Sequence, residues 1–209
     1  LFPEQVRAVS RMYWTPLRVA TLAAEQFDEH HAVRILDVGS GPGKFCLAAA
    51  AAEPNLVLTG VEQRPNLVDA ARSAAHRLRL TNAHFQVGDA STVDWQQFDG
   101  FYFFNPFAEN LFEQSQRFDS TVRLSAEKHE ADISRVEQAL TAARVGSTLI
   151  TYHGYGGRVP RNFRLSRSLR AGTDWVNVWV KDGARVSCDG FWFEEEDEDT
   201  GAPIFLEAP

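Results

Sequence analysis

The chain has 209 residues, 44% hydrophobic and 23% charged, with a formal net charge of −7. That length can bury a sizeable core, and the negative balance argues against a nucleic-acid binder that works through bulk charge, while leaving room for a local basic patch. No apolar run approaches the roughly 20 residues that a membrane span needs.

Residues 1–31 are expected to form a helical cap. In Trp14-Thr15-Pro16 the threonine suits an N-cap and the proline a first helical position. Leu17, Ala20, Thr21 and Ala24 then mark one helical stripe. Val33, Ile35, Leu36 and Val38 predict a strand buried on both faces. It runs through Asp37 into Gly39-Ser40-Gly41-Pro42-Gly43, and an alanine-rich helix from Lys44 to Ala52 follows, stopped by Glu53-Pro54. A second strand, Leu56 to Val61, ends in Glu62-Gln63, and an amphipathic helix spans Pro65 to Leu80. A third strand, Ala83 to Val87, ends in Gly88-Asp89-Ala90. A fourth and strongly aromatic one, Phe98 to Phe104, ends in Asn105-Pro106-Phe107.

Residues 108 to 122 have no clear period and suit a lid or a short helix. A long helix is predicted over Arg123 to Arg144 and a fifth strand over Thr148 to Tyr152. A hairpin of Phe163 to Arg170 and Trp175 to Lys181 closes the pattern. Its two tryptophans, Trp175 and Trp179, are expected to pack on a helix. Arg158, Arg161, Arg164, Arg167 and Arg170 suit either a solvated strand face or an attractor of phosphate at the crevice. Six consecutive acids, Glu194 to Asp199, read as a solvated tail. The expected organisation is therefore a cap at 1–31, a ligand-binding domain at 32–185 and an acidic tail at 186–209. Cys46 and Cys188 provide neither a disulfide framework nor metal-ligand spacing, so a reducing cytoplasm is the expected compartment and no metal is expected. No secretory signal is read at the start, which is Leu1 rather than Met.

Strand–helix alternation of these lengths predicts an α/β fold: a doubly wound, mostly parallel sheet with helices on both faces and an antiparallel C-terminal hairpin. A glycine turn at the carboxyl end of the first strand is where such a sheet holds a ligand. A P-loop needs G-x-x-x-x-G-K-S/T, and Phe45 follows Gly43-Lys44 where the hydroxyl belongs. A dinucleotide turn needs G-x-G-x-x-G, and Lys44 stands at the third glycine.

The remaining pattern, D-x-G-x-G-x-G from Asp37 to Gly43, resembles motif I of the class I methyltransferases that use S-adenosylmethionine (SAM), and the likeness extends from about Ala32 to Lys181. The resemblance implies SAM as cofactor and a seven-stranded sheet. It also implies cofactor contacts from Asp37, Gly39, Ser40, Gly41 and Gly43, from Glu62 and Gln63 at the ribose, and from Asp89, Ala90 and Asn105. A carboxylate suits the ribose because it can accept two hydroxyl hydrogen bonds at once.

Asn105-Pro106-Phe107 resembles the D/N-P-P-Y/F motif of enzymes that methylate exocyclic base amines or side-chain amides, with Phe107 at the second proline and Ala108 at the aromatic. It also has some likeness to the N-N-F step of non-SET histone lysine methyltransferases. The resemblance implies catalytic roles for Asn105, Pro106 and Phe107. The acceptor stays open among a nucleobase, a protein side chain and a small molecule, and no membrane partner is expected. Tyr152 and His153, after the fifth strand, are further candidate proton acceptors. A catalytically silent binding module and a nicotinamide-dependent oxidoreductase remain as other readings.

Overall fold

The computed structural model describes residues 1–8 and 14–183, together with a short ladder between Glu195–Glu196 and Pro203–Ile204. Cys188 and the rest of the acid run lie outside the described residues. The elements in order are α1 (Glu4–Ala8), α2 (Leu17–Glu29), β1 (Arg34–Val38), α3 (Lys44–Ala52), β2 (Val57–Glu62), α4 (Pro65–Leu78), β3 (Ala83–Val87) and β4 (Gly100–Phe103). They continue with α5 (Ala126–Ala142), β5 (Thr148–Tyr152), β6 (Phe163–Ala171) and β7 (Asp174–Lys181). One seven-stranded sheet runs in the order β3-β2-β1-β4-β5-β7-β6. β1 to β5 pair in parallel, and β7 inserts antiparallel between β5 and β6.

Period-two alternation sends neighbouring residues of a strand into different layers. Ile35 and Tyr102 face the layer of α2, α3 and α4, while Leu36, Phe101 and Phe103 face the layer of α5. The crossover from β3 to β4 carries only two 3₁₀ turns, Ala90–Thr92 and Trp95–Gln97. The indole of Trp95 fills that layer against Phe101 and donates through Nε1 to the Ala90 carbonyl at 3.0 Å.

Several sequence-level expectations shift in detail. α2 buries Val19, Ala20, Ala23, Ala24 and Phe27, whereas Leu17 and Thr21 face solvent. The larger side chains at 19 and 27 thus choose the face, and α2 is part of the main core layer. Thr15 does not cap the helix: α2 has no side-chain cap, because the Thr15 hydroxyl is paired with the buried Tyr102 hydroxyl at 3.1 Å. The hairpin places Trp179 against the α5 layer but leaves Trp175 42% exposed under the Arg170 guanidinium. The arginines of β6 form a solvated face, with Arg167 paired to Glu29 at 2.8 Å and Arg164 to Asp182 at 3.9 Å.

Tyr102 also stacks on Phe45 with ring centroids 3.6 Å apart, so its position is fixed by packing as well as by Thr15. Removing its hydroxyl leaves the buried Thr15 hydroxyl without a partner. Tyr102→Phe is expected to lower stability by about 1–2 kcal/mol in urea unfolding, and adding Thr15→Val should restore most of that loss. Equal stability of Tyr102→Phe and wild type would show the pair to be inconsequential.

Candidate functional site

The carboxyl ends of the strands converge on one cleft of about 290 Å³. Its floor begins with the β1–α3 turn, where Gly39 has φ +70° and Gly41 φ +53°. The amides of Gly39 and Ser40 both donate to the Val61 carbonyl at 3.0 Å, which seats the turn on the end of β2. A Cβ at Gly39 would stand 2.8 Å from the Pro106 Cβ, so only glycine lets this turn approach the β4 end so closely. At Gly41 a Cβ would meet nothing within 4 Å, and the left-handed backbone alone favours glycine there.

Glu62 is 8% exposed and lines the cleft. Its Oε2 accepts from the Gly41 amide at 3.1 Å and its Oε1 from the Arg64 amide at 2.9 Å. Burial pushes its carboxyl above the usual range, against those two hydrogen bonds and the Arg64 charge. Gln63, Ala90, Asn105, Pro106 and Phe107 share the lining with Gly39 and Gly41.

The other expected contacts sit around this cleft rather than on it. Asp37 and Ser40 line a small adjoining recess with Trp14, Lys44 and Phe104. Asp37 is buried and accepts from the Cys46 thiol at 3.3 Å, and the Ser40 hydroxyl is buried without a hydrogen-bond partner. Gly43 packs toward Phe85 and Ala71. The Asp89 carboxylate is held by the Ser91 amide and the Lys128 ammonium, both at 3.0 Å. Burial pushes Asp89 up, and those two partners more than offset it, leaving its carboxyl below the usual range.

At the β4 end, Asn105 has φ +43°, and its amide donates to the Gly154 carbonyl at 2.9 Å. Next to it, His153 has φ +60° and lines the same cleft, with Nδ1 2.5 Å from the Asp174 carboxylate. The other non-glycine residues with positive φ among those described, His31 and Arg79, follow the ends of α2 and α4, where left-handed backbone is ordinary. Asn105 and His153 have no such reason, and Asn105 precedes a proline, which favours extended backbone. Strain of roughly 1–3 kcal/mol each is thus concentrated at one end of the cleft. Tyr152, by contrast, is buried and donates its hydroxyl to the Ala171 carbonyl, so it is a structural tyrosine.

Sequence reasoning missed three groups here. Asn110 is 5% exposed and lines the cleft, and its Oδ1 has no partner while its Nδ2 donates to the Phe107 carbonyl at 3.1 Å. Arg64 is buried between Glu109 and Asp119. Phe112, Phe118 and Val122 from the aperiodic stretch roof the cleft, with Leu124, expected in the long helix but preceding it because Ser125 caps α5 at Ala126. A hint was present in Arg64, two residues beyond Glu62 and held before Pro65; the others carry no local pattern.

Burial holds the Asp37 carboxyl at about 7, partly opposed by the Cys46 hydrogen bond and aided by Glu62. The folded state therefore keeps its proton where the unfolded chain has lost it. Its stabilising contribution is full below the unfolded value of 3.8 and is lost as pH rises to about 7. The stability difference between wild type and Asp37→Asn should fall by up to about 1.4 kcal/mol per pH unit across that window and flatten above it. A pH-independent difference in urea unfolding would refute a raised Asp37.

The methyltransferase domain family matches residues 29–150. The release factor glutamine methyltransferase of Escherichia coli is 31% identical over 129 residues, 58% of this chain and 47% of that enzyme. The tRNA (guanine-N(7)-)-methyltransferase of Synechococcus elongatus is 39% identical over 56 residues, 27% of this chain and 26% of that one. The chain thus spans about half the length of the release factor relatives it matches. In fold it is similar to an RNA methyltransferase from Salinibacter ruber in complex with S-adenosyl-L-homocysteine. That likeness has TM-score 0.56 and 18% identity, over 81% of this chain and 94% of that one. It is also similar to a methyltransferase from Geobacter sulfurreducens, with TM-score 0.55 and 15% identity, over 86% and 93%. With the family matched over more than half its length and the sheet order observed, the chain belongs to the class I SAM-dependent methyltransferases.

Proposed function

We propose that this protein transfers a methyl group from SAM to a planar nitrogen, the amide of a protein side chain or the exocyclic amine of a nucleobase. The observation that carries the reading is Asn105, held in a strained backbone at the end of β4 and facing the same cleft as Glu62. The names of the relatives, which act on a release factor glutamine and on a tRNA guanine, agree with nitrogen as the acceptor atom.

The residues present suit the cofactor. Glu62 spends one lone pair of each oxygen on the protein and keeps others for two ribose hydroxyls, with Gln63 beside it. The unpartnered Ser40 hydroxyl and the open face of Gly41 offer polar backbone and side-chain groups around the turn shaped by Gly39 and Gly43, with Asp37 behind them. Ala90 supplies the wall at the β3 end, and Asp89 orders that corner through Ser91 and Lys128. Bound there, the cofactor supplies an electrophilic methyl group on a sulfonium.

The chain's own part is positioning and proton handling. Asn105 accepts an N–H of the acceptor through its Oδ1, which leaves electron density on the nitrogen for attack. His153, held through Nδ1 by Asp174, presents Nε2 to take the proton that the methylated nitrogen releases. Pro106 shapes the wall against Gly39, and Phe107 supports it from the core. A cytoplasmic location belongs to the same reading, in keeping with a buried free thiol at Cys46.

Calorimetry with SAM and with S-adenosyl-L-homocysteine tests the cofactor; a well-folded protein that binds neither overturns the reading. Glu62→Ala should weaken binding by at least about 1.5 kcal/mol, roughly tenfold. Label from methyl-labelled SAM is then followed into a glutamine-bearing peptide and into tRNA. Asn105→Ala should reduce incorporation by about two orders of magnitude with the homocysteine product still bound. Tight SAM binding without label in either acceptor would favour a silent binding module.

A further inference from the structure

Residues 107–124 cover the cleft, and Arg64 ties their middle to the β2–α4 corner. The Arg64 backbone is fixed on both sides: its amide donates to Glu62 Oε1, and Pro65 opens α4 directly after it. Its guanidinium then reaches the cover. Nη2 donates to Glu109 Oε1 and Nε to Asp119 Oδ1, each at 2.9 Å, and the Phe118 ring lies 5.5 Å from its centre. Both carboxylates also order the cover itself. Glu109 Oε1 accepts from the Phe118 amide at 2.6 Å, and Asp119 Oδ1 accepts from the Thr121 amide and hydroxyl at 3.0 and 2.7 Å. One face of the joint is therefore the Glu62 corner, and the other is the fold of the cover.

Besides this joint, the start of the cover is anchored to α5, where His129 Nδ1 lies 3.1 Å from the Phe107 carbonyl. The cover consists of short 3₁₀ turns, Ala108–Leu111 and Gln114–Gln116, and its apolar side chains Phe112, Phe118, Val122 and Leu124 face the cleft. A buried guanidinium with carboxylates on three sides is expensive to separate, so the joint should open and close as a unit rather than part by part. Segments of this kind, short of regular structure, are the ones that open locally at low cost.

We propose that Arg64 is a positioning residue that latches residues 107–124 over the cleft, coupling occupancy of the Glu62 end to closure of the cover. The inference rests on the cofactor reading above, and it goes beyond it in making binding and closure one event. By linkage, a ligand that stabilises the closed cover binds more tightly because the cover closes, and loses that gain when the latch is cut. Entry to the cleft correspondingly requires Glu109 and Asp119 to leave Arg64.

Hydrogen exchange of the 108–124 amides, with and without S-adenosyl-L-homocysteine, reads the coupling directly, and calorimetry gives the affinity. In the wild type the ligand should slow exchange of this segment about tenfold or more. In Arg64→Met the segment should exchange faster, respond little to the ligand, and bind it at least about tenfold more weakly. Arg64→Lys should recover only part, because an ammonium cannot span both carboxylates as the guanidinium does. The double variant Glu109→Gln/Asp119→Asn cuts the same joint from the cover side and leaves the Gly41 and Arg64 amide bonds to Glu62 in place. It should lose the ligand response in the same way, and it serves if Arg64→Met does not fold. Ligand protection of 108–124 that persists in these variants at the wild-type level overturns the latch while leaving the cofactor reading intact. Wild-type protein that does not bind the ligand overturns the cofactor reading and the latch with it.

Discussion

The site depends on one buried carboxylate with two backbone partners. Glu62 joins the β1–α3 turn, through the Gly41 amide, to the β2–α4 corner, through the Arg64 amide. Neither partner is a side chain, so the joint fixes main chain to main chain across two adjacent parallel strands. An ionised carboxylate in such surroundings is costly unless its oxygens are hydrogen-bonded. The two amides offset part of that cost, and the upward pressure of burial on Glu62 shows that they do not offset all of it. A ligand offering hydroxyl donors would supply what remains. The same carboxylate therefore shapes the cleft and leaves it incomplete.

Most of the fold was legible because its strands are written in period-two apolar runs and its helices end at recognisable stops. Ala83 to Val87 and Thr148 to Tyr152 coincide with β3 and β5, and Asp37, Glu62 and Asn105 stand at or beside the strand ends where the spacing put them. What was not legible depends on partners remote in sequence. Thr15 looks like a helix cap, yet its hydroxyl is taken by Tyr102, 87 positions on. Local capping chemistry lost to a tertiary contact that no window of sequence contains. The choice of face in α2 has the same origin: a stripe through Leu17 and Thr21 is as periodic as one through Val19 and Phe27, and only packing against α3 decides between them. The cover, residues 107–124, has no period to read because its conformation is imposed by Arg64, Glu109 and Asp119 rather than by its own propensities. Asp89 shows a limit of another kind. Its place at the end of β3 was foreseeable, but its pairing with Lys128 on α5 was not.

The two strained residues define the β4–β5 end of the cleft. Asn105 follows β4 and His153 follows β5, so parallel pairing brings the two left-handed positions side by side. The Asn105 amide then closes the gap by donating to the Gly154 carbonyl. Each loop supports the unfavourable backbone of the other, which is how strained geometry persists in a folded chain. Two residues able to accept hydrogen bonds, Asn105 and His153, thus line one space from adjacent strand ends.

The departure of Asn105-Pro106-Phe107-Ala108 from a motif with a second proline and a following aromatic has a structural meaning. The Phe107 carbonyl is a node: the Asn110 amide and side-chain nitrogen reach it at 3.1 Å, and the His129 Nδ1 of α5 lies at the same distance. Its ring is buried with Phe103 and Tyr155 in the α5 layer. The position after the first proline thus anchors the start of the cover to α5, and Phe107 is spent on structure as much as on the cleft. With Ala108 at the next position, the aromatic ring of the motif is missing there. The cleft still carries aromatic rings from elsewhere, Phe104 at the β4 end and Phe112 and Phe118 from the cover, while the same carbonyl node holds the buried Asn110 side chain beneath it.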